Sequence, residues 1–147
     1  MAAHVGLTAL ESWPEFGELI GARFDGHPIT GAGKIINEDP ASPFTKQWPA
    51  SFDFNDEFYQ PKAYSRDILH VLLRLDLTNV PPNDSLHAKG DYPLVWAKTY
   101  GKGRVFFGSF AHDAKTWDIR DVRQMYFEAM KWSLGLTDAT LAPHPMR

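Results

Sequence analysis

Ile68-Leu69-His70-Val71-Leu72-Leu73-Arg74-Leu75 is an almost unbroken apolar run, rich in strand-forming residues. It has no solvated face, so it reads as a central strand covered on both sides, which predicts a layered α/β domain. Downstream, Leu94–Thr99 and Arg104–Phe110 read as two further strands, and the glycines of Tyr100-Gly101-Lys102-Gly103 between them are hairpin chemistry. The last element is a helix on which Ile119, Val122, Met125, Tyr126, Ala129, Met130 and Ser133 recur at intervals of three and four. Asp118 is its expected cap, Asp121 suits the dipole of its first turn, and Gly135 is its stop.

Upstream, Trp13, Phe16, Leu19, Ile20 and Phe24 share one face of a helix expected over Glu11–Phe24, with Ser12 as cap and Pro14 in the first turn. Gly33–Asn37 is a short strand. From Glu38 to Lys62 four prolines are spread among Phe44, Trp48, Phe52, Phe54, Phe58 and Tyr59. Periodicity is lost there, and the segment reads as a long ordered loop packed on the domain, a kind that carries function. Asn79–Asp91 is a connecting loop. The chain is expected to be one domain over 1–147, with its core at about 5–135 and a loosely ordered tail over 136–147. A strand covered on both faces needs more helices than these two, which predicts a homo-oligomer, most simply a two-fold dimer.

The chain of 147 residues is 44% hydrophobic and 22% charged, an ordinary globular balance, with a formal charge of −3 that gives no electrostatic case for nucleic acid. It has no cysteine, which removes disulfides, thiolate zinc sites and cysteine nucleophiles together. No apolar run spans a bilayer, and the opening MAAHVGLTALESWPEF lacks the basic and apolar regions of a signal peptide. A cytoplasmic protein without a membrane partner is the expectation.

Two segments carry candidate chemistry. Asp56 and Glu57 are adjacent carboxylates in aromatic surroundings, suited to proton transfer or to gripping a hard cation, although a turn cap and a structural hydrogen bond would use the same residues. Gly108-Ser109-Phe110-Ala111-His112-Asp113 lies between the last strand and the last helix, where ligands sit in α/β sheets. His112 there is a candidate base, electrophile or metal ligand, with Asp113 or another acid to orient it. His27, at the end of the first helix, is a candidate for the same face. His4, His70, His87 and His144 have no supporting context, and His70 reads as a satisfied sheet residue. The Gly101–Arg104 turn lies between strands and does not follow the Walker pattern. Ser109 is outside any GxSxG elbow, and its closeness to His112 and Asp113 argues against a converging triad.

ESWPEFGELIGARFDGHP, NEDPASPFTKQWPASFDFNDEFYQ, SRDILHVLLRLD and DYPLVWAKTYGKGRVFFGSFAHDAKTWDIRDVRQMYFEAMKWSLG together resemble a ThuA-like (trehalose-utilisation) domain, of the class I glutamine amidotransferase-like, flavodoxin-related folds. The resemblance implies a sandwich around a small, mostly parallel sheet with a C-terminal hairpin, incomplete at the N-terminus. It implies a pocket where His27, Asp56, Glu57, Tyr59 and His112 meet, and an association with sugar metabolism without the amidotransferase nucleophile. Val5-Gly6-Leu7-Thr8 matches a place where the family tends to carry a histidine, which Thr8 would replace.

The resulting expectation is a hydrolase or proton-transfer enzyme for a small polar, carbohydrate-related substrate. His112 is its base or ligand, Glu57 its acid or orienting group, and Asp56 a structural or metal carboxylate. Tyr59 and Trp117 would stack on a sugar ring, with His27 and Ser109 in contact with substrate. One alternative is a metal-dependent hydrolase of a small ester or lactone using Asp56, Glu57, His112 and Asp113, whose oxygens suit calcium or magnesium. The other is a sugar-binding or structural module without catalysis.

Overall fold

The computed structural model describes residues 1–147. Its strands are β1 (Ala2–Ala3), β2 (Arg23–Phe24), β3 (Ile29–Asn37), β4 (Ser51–Phe58), β5 (Pro61–Lys62), β6 (His70–Leu75), β7 (Pro93–Tyr100) and β8 (Gly103–Gly108). The helices are α1 (Pro14–Ile20) and α2 (Arg120–Ser133), with 3₁₀ turns at His4–Leu7 and Ala114–Asp118. Six strands form one sheet in the order β1-β8-β7-β6-β3-β4, while β2 and β5 pair separately.

The apolar run holds a central place, with β6 between β7 and β3. Val71 packs to one side with Trp96, Phe107, Ile20 and Leu7. Leu73 and Leu75 pack to the other with Val95, Phe106, Val122, Met125 and Trp132. Each face therefore has its own helix, α1 on one and α2 on the other. The Trp96 indole N–H donates to Ile20 O at 2.9 Å, which ties α1 to its face.

The expected mostly parallel sheet is corrected. Only β1 with β8 is parallel; the other four neighbouring pairs are antiparallel. Parallel neighbours need a long crossover, usually helical, and no helix lies between β3 and β4 or between β6 and β7. The hairpin is confirmed, with Tyr100 opposite Gly103 and Gly101 at φ 56° in the turn.

The long loop expected over Glu38–Lys62 is also corrected. Ser51–Phe58 is strand β4, an edge strand paired with β3 from Ile29↔Phe58 to Ile36↔Ser51. Phe52, Phe54, Asp56 and Phe58 alternate inward along it, and the inward Asp56 breaks the apolar pattern that would have marked a strand. At Gly33 of β3, an added Cβ would lie 2.7 Å from the Leu75 side chain and 2.8 Å from the Phe58 ring, both fully buried. Gly33→Ala is therefore expected to cost about 1–3 kcal/mol by overpacking, read as a lower urea midpoint with an unchanged slope.

Helix α1 is shorter than expected because Gly21 leaves it in the left-handed conformation, φ 95°, and Arg23-Phe24 turns into β2. Asp118 does not cap α2; Ile119 occupies that position without a side-chain hydrogen bond. The tail contains no helix or strand after α2, yet it is anchored across β6. His144 is buried, its Nε2 3.1 Å from Val71 O, and His70 Nδ1 lies 2.7 Å from Ala142 O. His70 is also within 2.9 Å of Asp39 Oδ2, so both its ring nitrogens have partners. No helix is long and apolar enough to cross a membrane.

Candidate functional site

Strand sense positions the site. From the pairings, β1, β4, β6 and β8 all run one way and end at the same edge of the sheet. The sheet curls so that the end of β4, although an edge strand, meets the ends of β1 and β8. Tyr59 N–H donates to Ser109 Oγ at 3.2 Å and the Ala111 N–H to Asp56 Oδ2 at 2.7 Å. Residues just beyond these carboxyl ends therefore converge, as they do at the ligand sites of open α/β sheets.

Glu57, only 13% exposed at its side chain, is the centre of the convergence. Its Oε2 lies 3.2 Å from His4 Nε2 and 3.1 Å from His112 Nδ1, and its Oε1 lies 3.4 Å from His27 Nδ1. His4 Nε2 and His112 Nδ1 are themselves 3.1 Å apart. His4 is buried, while His27 and His112 are about half-exposed at their side chains. The other His4 nitrogen, Nδ1, is 2.6 Å from Ser109 O. A carbonyl only accepts, so Nδ1 carries the proton and, in the neutral ring, Nε2 presents a lone pair to Glu57.

Tyr59 floors the cluster, its ring centroid 3.9 Å from that of His4 and 6.2 Å from that of His27. Burial, reinforced by the charge of Glu57, pushes the Tyr59 phenol above its ordinary range, so it remains a neutral hydroxyl. Phe24 contacts both Tyr59 and His27 and also lines the adjoining cleft, of about 560 Å³, with Glu11, Arg23, Asp25, Gly26 and Lys62. The cleft is predominantly polar. In it, hydrogen bonds from His87 and Lys62 hold the Asp25 carboxyl below its usual range.

The backbone is strained on both sides of the cluster. His4 at φ 33° and Ala111 at φ 86° are two of the four non-glycine residues with positive φ. Asp56 holds the second of these. Its two oxygens accept from the backbone N–H groups of Glu57, at 3.0 Å, and Ala111, at 2.7 Å. Asp56 therefore sets the position of His112 through the loop, and its carboxylate is occupied by backbone rather than turned to the cluster.

Of the residues singled out by sequence, Glu57, His112, His27 and Tyr59 come together. Ser109 joins them through backbone and hydroxyl contacts, but it is fully enclosed and its Oγ accepts from Tyr59 N–H. Asp113 pairs with Lys115 at 3.2 Å and lies outside the group of converging donors. Trp117 is also placed elsewhere: it stacks on Tyr126 at 5.1 Å and lines a groove on α2 with Arg120, Arg123 and Phe127.

Sequence reasoning missed His4. It follows a two-residue strand, too short to show periodicity, and its one signal is a histidine directly after Ala2-Ala3 and before a turn. Thr8, taken as the replacement of a histidine, only donates its hydroxyl to Val5 O at 2.9 Å. The histidine at this end of the chain is His4.

Fold and cluster together define a layered α/β domain with a histidine–carboxylate centre at its strand ends. Residues 1–133 match the family described as ThuA, trehalose utilisation, and the chain belongs to that family. Among solved structures it is similar to a ThuA-like protein from Bacteroides uniformis, at 23% identity and TM-score 0.69, over 89% of this chain and 56% of that one. A ThuA-like protein from Parabacteroides merdae is similar at 16% identity and TM-score 0.64, over 89% of this chain and 58% of that one. The beta-galactosidase from Bacillus circulans sp. alkalophilus shares the fold at 13% identity and TM-score 0.50, over 88% of this chain and 16% of its own. The chain thus spans little more than half the length of the two ThuA-like structures. No curated protein matches it.

Proposed function

We propose that this chain is a hydrolase or proton-transfer enzyme acting on a small polar, carbohydrate-related substrate, with Glu57 and His112 as its acid–base pair. One observation carries the reading: a nearly buried carboxylate within 3.1–3.4 Å of three imidazoles, two of them half-exposed, with His27 against the Phe24 ring that lines a polar cleft. Such a pair can take a proton from a substrate hydroxyl or water and return it to a leaving oxygen. His27, whose ring contacts Phe24, would contact a substrate seated there, and Tyr59 supports the imidazoles of His4 and His27. The carbohydrate class is supported by the family's association with trehalose utilisation.

The test is an NMR assay of the purified protein against a panel of mono- and disaccharides, their lactones and their keto derivatives. Product formation is expected, and it should be lost in Glu57→Ala and His112→Ala while both variants retain the wild-type circular dichroism spectrum. Turnover retained in both would overturn the assignment. Calorimetric binding with no product from any compound would make the chain a sugar-binding module instead.

A further inference from the structure

We infer that His4 Nε2, Glu57 Oε2 and His112 Nδ1 form the protein face of a transition-metal site, for zinc above all. The inference deepens the enzymatic reading while resting on geometry of its own: with an ion bound, Glu57 and His112 would hold it, and a water in its open position would supply the acid–base chemistry. The three atoms form a nearly equilateral triangle, with sides of 3.2, 3.1 and 3.1 Å. All three are atoms that can offer an electron pair at the same time. His4 Nδ1–H donates to Ser109 O, which in the neutral ring leaves Nε2 as a lone pair facing a carboxylate oxygen. With the His4 ring neutral, a proton on His112 Nδ1 can be shared with its two neighbours, yet it leaves His4 Nε2 and Glu57 Oε2 lone pair to lone pair at 3.2 Å. A single cation above the triangle satisfies all three contacts together.

The triangle has the dimensions a small cation requires. An ion about 2.1 Å from each atom, the usual zinc–imidazole and zinc–carboxylate distance, would subtend angles of about 96° at these separations, between octahedral and tetrahedral. Two imidazoles and one carboxylate are the donors of zinc and its transition-metal neighbours. Calcium and magnesium prefer oxygen throughout, which shifts the expected cation away from them. The contacts behind the triangle fit the same assignment. His4 donates its other N–H to a backbone carbonyl, and Glu57 keeps its second oxygen for His27 at 3.4 Å, the outer partners that orient metal ligands. Three protein donors leave a position for water or a substrate oxygen, as in catalytic rather than closed structural sites.

The experiment uses the full chain, stripped with a chelator and then titrated with cobalt(II) chloride by visible absorption and with zinc(II) chloride by calorimetry. One ion per chain is expected, with a ligand-field spectrum for cobalt and no response to calcium or magnesium chloride at the same concentrations. His112→Ala and Glu57→Gln should each weaken zinc binding by about 100-fold or more, and His27→Ala by about 10-fold, the upper and lower range for disturbed metal shells. His87→Ala, on an exposed imidazole paired with Asp25, should leave binding unchanged. Absence of stoichiometric uptake by the wild type overturns the proposal. So does wild-type affinity in both His112→Ala and Glu57→Gln. Because the readouts are spectral and calorimetric, a protein that binds zinc at this triangle but turns over nothing upholds the metal site while the enzymatic reading fails.

Discussion

Glu57→Gln is expected to lower turnover by about 10²–10⁴-fold, the usual worth of a positioned acid or base, with little change in stability. The glutamine is isosteric, and its amide N–H can donate to the His4 Nε2 lone pair that faces Glu57 at 3.2 Å. The fold therefore keeps a hydrogen bond where the chemistry loses a proton acceptor. A thermal midpoint within a few degrees of wild type should accompany the loss, since roughly 1 kcal/mol shifts a domain of this size by only a few degrees. His112→Ala should lose activity to a similar extent, because His112 shares the same carboxylate oxygen at 3.1 Å. The double variant should lose scarcely more than either alone, as expected of residues acting as one unit. Full additivity of the two losses would separate their roles and contradict a shared proton path. Turnover within tenfold of wild type in Glu57→Gln would remove Glu57 from the chemistry.

Glu38→Ala is expected to destabilise the protein by about 3–5 kcal/mol, the usual cost of breaking a buried ion pair from one side. The Glu38 side chain is fully buried. Its oxygens accept from Arg66 Nη1 at 2.7 Å and Nη2 at 3.0 Å, and Arg74 Nε lies 3.0 Å from Oε1. Burial works against the Arg66 charge, but hydrogen bonds to Asp91 and Glu38, with the charges behind them, outweigh it and push the guanidinium up. Removing Glu38 would leave Asp91 as the only carboxylate partner of Arg66 and release the grip on β6 through Arg74. It would also loosen the tail, whose His144 Nδ1 lies 3.6 Å from Glu38 Oε2 and whose terminal Arg147 O accepts from Arg74. Thermal unfolding should show a midpoint about 10 °C or more lower, and hydrogen exchange should speed up at residues 142–147. A loss below about 1 kcal/mol would mean that the network contributes no more than a solvated surface pair does.

The residues legible in advance were those whose chemistry and local pattern agree. The run at 68–75 marked a strand covered on both sides, the glycine pair at 101 and 103 marked a hairpin, and the repeat at 119–133 marked the last helix. Glu57 and His112 could be singled out because each stands in a segment of unusual composition. Strand β4 escaped because Asp56 occupies an inward position among Phe52, Phe54 and Phe58. That carboxylate is buried to accept from Ala111 and Glu57, a requirement visible only once the loop after β8 is folded against it. The anchors of the tail were hidden for a related reason: His144 on Val71 O and Ala142 O on His70 connect segments more than seventy residues apart, as their sequence separations of 73 and 72 show.

The sequence by itself determined a cysteine-free α/β chain with a doubly covered central strand, and it nominated a carboxylate and a histidine in two separate segments. Tertiary structure alone decided that these two meet and that His4 completes the group, since its partners Glu57 and His112 lie 53 and 108 residues away. Local pattern reports which face of an element is buried. It carries no information on how far a sheet curls, and that curl, bringing the end of edge strand β4 onto the ends of β1 and β8, creates the site.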